Sequence, residues 1–462
     1  MAERVSDTPD GDATEQLPAV DDRREPSGPK LLGSSSFFRL WLAQVVSSLG
    51  DWIGLFAILT LTARIGKGSP EAAIALVMSA RMIPGFFLAS VGGVLVDRWD
   101  RRRVMICCDV GRGLVLATLP FVDAVWQLFV ASLVLEVLTL LWSPAKEASV
   151  PNLVASDKLA SANSFSLAAA YGTFPIASAL FASLTKVSEI IGRNAGVFDF
   201  LSLNQETLAF YFDVCTFFLS AALIRSLTLP RNRPVARMPI DLTRTFTEIK
   251  EGWQFIGTNP TVRSVMVGLG TALIGGGMIA PLGPIYANQI LHAGPAGFGL
   301  LLTALGMGLA VGVVGLSTFQ KRVPHTRAFP WAVVGAGVSM LVAVSMGSLG
   351  LTMAFTALLG VCAGAVYVLG FTILQETVDD ELRGRTFATL YTLSRLCLLI
   401  SLSLAPLVSR VLGDVADALF DSKVSLGSAD FSVPGVRITL WIGAAIILVA
   451  GALAVRAAKS RA

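Results

Sequence analysis

Charge is what this 462-residue chain has least of. Asp, Glu, Lys and Arg make up 15% of it, where a soluble globular chain carries about 25%. Histidine occurs only at His292 and His325, both in polar stretches between apolar ones. Proton chemistry inside an apolar core therefore falls to carboxylates. The cysteines, Cys107, Cys108, Cys215, Cys362 and Cys397, all fall in apolar runs and lack the spacing of a zinc site. They read as buried thiols, and no metal or cofactor is expected. The chain has no phosphate-binding loop, no Gly-x-Ser-x-Gly elbow and no polar stretch long enough for a soluble catalytic domain, so it does not read as an enzyme. The net charge of +4 is small and concentrated in loops, which argues against a nucleic-acid partner. No apolar core follows a basic start in the first residues, so no signal peptide is expected.

What the chain has is hydrocarbon. Apolar residues make up 54% and the mean hydropathy is +0.69, which places the chain in the lipid bilayer. A crossing helix needs about 20 mostly apolar residues. By that measure, spans fall near 36–63, 71–96, 104–123, 125–143, 159–184 and 206–229. After a polar stretch they resume near 262–286, 296–319, 328–347, 350–373, 387–412 and 435–456. The third and fourth are parted only by the short turn Phe121-Val122-Asp123-Ala124. Six plus six predicts an all-α membrane protein with twelve transmembrane helices, in two six-helix bundles around a central cavity. The expected organisation is a disordered tail over 1–34, bundles over 35–229 and 262–456, a linker over 230–261 and a short C-terminus over 457–462.

Basic residues orient the chain. With the N-terminus inside, 21 Lys and Arg fall on cytoplasmic loops and the C-terminus, against seven on the outer loops. Loops rich in Lys and Arg stay in the cytoplasm, so both termini are expected there. In the linker, Leu242, Phe246, Ile249, Trp253 and Ile256 share one face. That pattern fits an amphipathic helix lying on the inner membrane surface, or equally a soluble helix packed on the protein. Gly275-Gly276-Gly277 followed by Pro281 and Pro284 should bend or break the seventh span. Gly308 with Gly312, and Gly360 with Gly364, read as close helix packing.

Ionisable groups inside spans are costly and are candidates for function. Counted at about 1.5 Å per residue, Arg112 and Glu136 lie at matching depth on successive spans and read as a pair. Asp51 and Arg81 make a second pair, and Asp109, at i−3 from Arg112, can share it. Two readings stand for these residues. At least one carboxylate exchanges a proton as a neighbouring Arg comes and goes, or the pairs are static and fix helix packing. The static reading weighs more for Arg112 with Glu136 than for Asp51. Asp213 lies near the outer end of the sixth span, facing the outer water layer or the cavity. Arg395 either meets Glu376 or faces the cavity and binds an anionic group of the cargo.

The turn from Gly92 to Arg103 carries Arg98, Arg101, Arg102 and Arg103 between two apolar spans. Its pattern, Gly93-x-Leu95-x-Asp97-Arg98-x-x-Arg101-Arg102, resembles the loop signature between helices 2 and 3 of the major facilitator superfamily, with Asp100 where that family usually has Gly. The corresponding second-half stretch, Gly315 to Arg322, keeps only the basic end. Phe38-Arg39-Leu40-Trp41 with Leu49-Gly50-Asp51, Pro144-Ala145-Lys146-Glu147 through Val154, Glu251-Gly252, Gln375-Glu376 and Leu382-Arg383-Gly384-Arg385 resemble its drug:H+ antiporter-like branch, which includes enterobactin-type and macrolide-type exporters. Two features depart: the fourth span has no Arg, and the Gly-Pro pattern of the fifth is reduced to Gly172-Thr173-Phe174-Pro175.

The resemblance implies a secondary active transporter in the cell membrane, working as a monomer and exporting a small amphipathic or hydrophobic cargo by alternating access in exchange for protons. It makes Asp51 the first choice for proton coupling, because helix 1 usually lines the cavity in this fold. It makes Gly93, Asp97, Arg98, Arg101 and Arg102 a cytoplasmic gate, with Glu376, Arg383 and Arg385 its counterpart between helices 10 and 11. The plain alternative for the first loop is a topological anchor. A lipid or lysolipid flippase, or a siderophore exporter, of the same fold is a second reading. A non-transporting scaffold or sensor is a third, and it predicts a sealed core with paired charges and no cavity.

Overall fold

The computed structural model describes residues 29–155, 158–193, 204–227, 257, 259–319, 324–378, 380–420, 423–426, 429–432 and 434–459. Within its helices, side chains are not described at 86–98, 160, 164, 192–193, 317–319, 380–385, 387–388, 391, 419–420 and 457–459. Residues 1–28 of the expected tail over 1–34 and most of the linker lie outside the described residues; Leu31 and Ser34 of that tail pair as an isolated bridge ahead of α1.

Among these residues the chain is almost entirely helical. The first half holds α1 (Ser35–Ile65), α2 (Pro70–Arg98), α3 (Arg101–Thr118), α4 (Val125–Ser149), α5 (Leu159–Gly172), α6 (Phe174–Arg193) and α7 (Thr207–Arg225). The second holds α8 (Pro260–Gly277), α9 (Ile279–Gln289), α10 (Gly294–Phe319), α11 (His325–Ser345), α12 (Leu349–Thr377), α13 (Asp380–Leu399), α14 (Ala405–Phe420) and α15 (Gly435–Lys459). The pairs α5/α6, α8/α9 and α13/α14 each make one crossing. Eleven crossings are long and apolar enough to span a bilayer, and α2 completes the twelve. A short antiparallel hairpin, β1 (Lys423–Leu426) with β2 (Ala429–Ser432), joins α14 to α15; the sequence pattern gave no strand there.

The helix starts are set locally. The Ser34 hydroxyl accepts from the Phe37 N–H at 3.1 Å, and the Asn259 side chain accepts from Thr261 and Val262 ahead of Pro260. The short turn before α4 is held by Gln127, whose side-chain oxygen accepts from the N–H groups of Asp123 and Ala124 at 3.2 and 3.1 Å. The seventh crossing breaks at Met278, just past the triple glycine. The eleventh contains a π-turn over Ile400–Leu404, and the Ser401 hydroxyl donates to the Ile274 carbonyl, beside that break, at 2.9 Å. The two glycine steps face each other: a Cβ on Gly308 or Gly312 would strike the carbonyls of Ala357 and Val361, and one on Gly360 or Gly364 those of Leu305 and Leu309. Only bare backbone lets α10 and α12 approach so closely.

The face where α1 begins is called here the N face, and the opposite one the far face. The halves pack together mainly through α6 on α10, α2 on α14 and the π-turn, and α9 on α1 and α2. α6, α9 and α14 are the far-face parts of their crossings, so the halves are joined on that side. An aromatic cluster seals it. Trp52 meets Phe174 at 4.9 Å between ring centroids, and Phe56 meets Phe174, Phe181 and Phe298 at 5.8, 5.7 and 6.0 Å. Beside it, Gly299 on α10 lies against the backbone of Ala182 on α6. Among the described residues, the contacts between the halves gather on the far side.

Candidate functional site: a buried charge cluster in the first half

Arg112 organises the site. It is 2% exposed on α3 and keeps four neighbours, two acids and two aromatic rings. Nη2 donates to Asp109 one turn back, and Nη1 lies 3.5 Å from Asp51 Oδ1 on α1. The guanidinium lies over the Phe217 ring at 4.3 Å and the Trp142 ring at 5.3 Å. These contacts replace much of the hydration a buried cation loses. The second oxygen of Asp109 accepts from the Ser220 hydroxyl on α7 at 2.7 Å. Asp51 keeps 39% of its side chain accessible, at a small cleft that Arg81, Arg112, Thr139 and Asp213 also line.

The proposed partnership of Asp109 with Arg112 is present. The pairing of Arg112 with Glu136 is not, because Arg112 turns toward α1 and its fork is occupied by Asp51 and Asp109. Asp51 and Arg81 share the cleft, but Asp51 makes its ion pair with Arg112 and not with Arg81. Asp213 does not face an outer water layer: it is 1% exposed, packed against α1 at Gly50 and Gly54. Glu376 pairs with His325 at 3.2 Å, so Arg395 does not meet it. Arg395 is exposed and within electrostatic reach of Glu136 in the opposite half.

The turn between α2 and α3 is shorter than its motif. Helix α2 continues through Arg98, and only Trp99 and Asp100 separate it from α3. Asp100, the residue that departs from the superfamily pattern, caps α3 by accepting from the Arg103 N–H at 3.0 Å. Arg101 donates to the Ala148 carbonyl at 2.6 Å, and Arg102 to the Arg225 carbonyl. They neutralise the carbonyl ends of α4 and α7, so these contacts tie together helices of one half. Gly93 lies on α2, and Asp97, Arg98, Arg383 and Arg385 are helical in backbone; the side chains of these residues lie outside the described set.

Sequence reasoning missed the parts of the site that carry no charge. Thr216, Phe217 and Ser220 lie one turn apart along α7, on the side that faces α1 and α3. The seal of Phe56, Phe174, Phe181 and Phe298 was also missed, although Phe174 and Phe181 stand two turns apart on one face.

Two bundles joined at one face, with an ion cluster beside an internal cleft, suit a multi-pass membrane transporter. Residues 30–401 match the family described as transmembrane secretion effector, and the chain belongs to this family of the major facilitator superfamily. Among curated relatives, the uncharacterized MFS-type transporter YfiS of Bacillus subtilis (strain 168) is 26% identical over 383 residues, covering 81% of this chain and 87% of that protein. The multidrug efflux pump Tap of Mycobacterium tuberculosis (strain H37Rv) is 25% identical, covering 77% and 83%. Among solved structures, a bacterial homolog of the human lysosomal transporter Spinster, inward-facing and unoccupied, superposes with a TM-score of 0.71 at 13% identity, covering 94% of this chain and 98% of that one.

Proposed function

We propose that the protein exports a small amphipathic or hydrophobic compound across the cell membrane by alternating access, in exchange for protons, with both termini in the cytoplasm and the monomer as the working unit. On this reading the N face is cytoplasmic and the structure is the inward-facing state. The observation that carries the reading is Asp51. It is an acid on the cavity-lining first helix, open to the cleft and paired at 3.5 Å with an Arg that a second acid also holds. An Arg shared between two acids can shift toward one of them and leave the other to take up a proton. The excess of Lys and Arg on the N-face loops supports the orientation. The efflux-pump name of the Mycobacterium relative supports the direction.

In the gate part of the proposal, Gly93, Asp97 and Arg98 work with Arg383 and Arg385 across the halves to close the cytoplasmic side, while Arg101 and Arg102 hold the first bundle rigid. The test is cargo-driven proton movement in proteoliposomes, screened over amphipathic drugs, siderophores and lysolipids, with Asp51→Asn alongside. Flux that follows one cargo and disappears in the variant is the expected result. Cargo movement without proton flux would replace antiport by facilitated diffusion or lipid flipping.

A further inference from the structure

Asp213 differs from the other acids of the site. It is 1% exposed, yet no cation stands within ion-pairing distance of it among the described residues; Arg112 is taken by Asp51 and Asp109. Its hydrogen-bond partner is Thr216, one turn on along α7. The Thr216 oxygen lies 2.7 Å from the Asp213 carbonyl and 3.0 Å from its Oδ1. The Thr216 hydroxyl has one proton to share between those two acceptors, which is little compensation for a buried carboxylate with no counter-ion at that distance; a proton on the carboxyl removes the charge.

The enclosure is built into α1. A Cβ at Gly50 would strike the Asp213 carboxyl and the Thr216 hydroxyl, and one at Gly54 would strike the other carboxyl oxygen. α1 therefore covers Asp213 with bare backbone, and Asp51 follows Gly50 directly. The charged groups around it are Asp51 from α1, Arg112 and Asp109 from α3, and Arg81 on α2 across the cleft. α6 also packs on α7, and its Lys186 and Glu189 are paired with each other at 3.0 Å. Two guanidinium groups lining the cleft disfavour a metal cation there. A proton bound into an O–H does not bring that repulsion.

We infer that Asp213 is a second proton-binding site, which holds a proton under Gly50 and Gly54 in this state and exchanges it with Asp51 across the cleft. In the exchange the Asp213 O–H bond breaks and an O–H bond forms on Asp51. Asp51 becomes neutral and releases Arg112, and the Asp213 carboxylate becomes the anion that Arg112 and Arg81 face. The inference rests on the proton-exchange reading above, but its first test needs no cargo.

That test is infrared spectroscopy of the full-length protein in lipid nanodiscs at neutral pH, reading the C=O stretch of a protonated carboxyl. The band is expected in the wild type, lost in Asp213→Asn and retained in Asp51→Asn. Thr216→Val removes the hydroxyl that donates to the carboxyl and is expected to shift the band without abolishing it; this variant decides the matter if Asp213→Asn does not fold. No band in the wild type, an unchanged band in Asp213→Asn, an unshifted band in Thr216→Val, or a band removed by sodium would each overturn the assignment. Cargo-driven proton flux in Asp213→Asn then tests the hand-over. Its loss is expected, and wild-type flux would overturn the exchange. If the wild type shows the band but no flux with any cargo, antiport itself fails and the proton of Asp213 is structural.

Discussion

At the residue scale, Arg112 carries more of this protein than any other side chain. Removing one partner from a buried ion pair leaves the other charged and uncompensated, which costs about 3–5 kcal/mol. Arg112→Ala exposes Asp109, which is fully buried and is left with only the Ser220 hydroxyl. A thermal melt of the purified protein should therefore fall well below the wild type. Arg112→Lys keeps the charge but loses the fork that reaches two acids at once. It should fold, and cargo-driven proton movement should nonetheless drop, because a single ammonium cannot hold Asp51 and Asp109 together. Asp109 and Arg112 were legible as partners because they lie one turn apart on one helix. Which acid on another helix completes the group was not legible. Depth matched Arg112 to Glu136, but rotation about the helix axis turns Arg112 toward α1, and depth says nothing of rotation.

At the element scale, the glycines and prolines mark where helices touch or break. The opposed steps Gly308/Gly312 and Gly360/Gly364 put each backbone against the carbonyls of the other helix. Gly308→Leu should destabilise the second half by about 1–3 kcal/mol, the usual range for overpacking, measured as a lower midpoint in the melt. The break at Met278 lies beside the π-turn at Ile400–Leu404, with Ser401 bonded to Ile274 at 2.9 Å. Irregular turns at matching positions on two helices suit bending there. If bending of the seventh crossing is part of gating, Pro281→Ala should slow transport while leaving protein yield intact; unchanged kinetics would end that idea. The sequence showed that the seventh crossing would bend or break, because missing side chains and missing N–H donors are local properties. It did not show the π-turn, which has no marker of its own in Leu399-Ile400-Ser401-Leu402.

At the scale of the whole molecule, the far face is shut by rings from both halves. Ala182 and Gly299 touch there. With Cys107 and Cys215 replaced by serine, Ala182→Cys with Gly299→Cys should cross-link readily. The cross-link should abolish transport, and a thiol reductant should restore it. Cross-linking with transport intact would mean that the halves do not separate at this face.

The sequence by itself determined the membrane class, the twelve crossings and the local caps and breaks. Those follow from hydrophobic length, from missing side chains and from neighbours within one turn. It also supplied the family, through a charged turn short enough to be read as a motif. Only the tertiary structure decided that Asp51 shares Arg112, that Asp213 is enclosed under Gly50 and Gly54, and that four phenylalanines seal one face. Each of those contacts joins residues far apart in the chain, and their pairing depends on how each helix is rotated. In a lipid bilayer nearly every face of a helix is apolar, so the sequence carries little periodic signal to say which face turns inward.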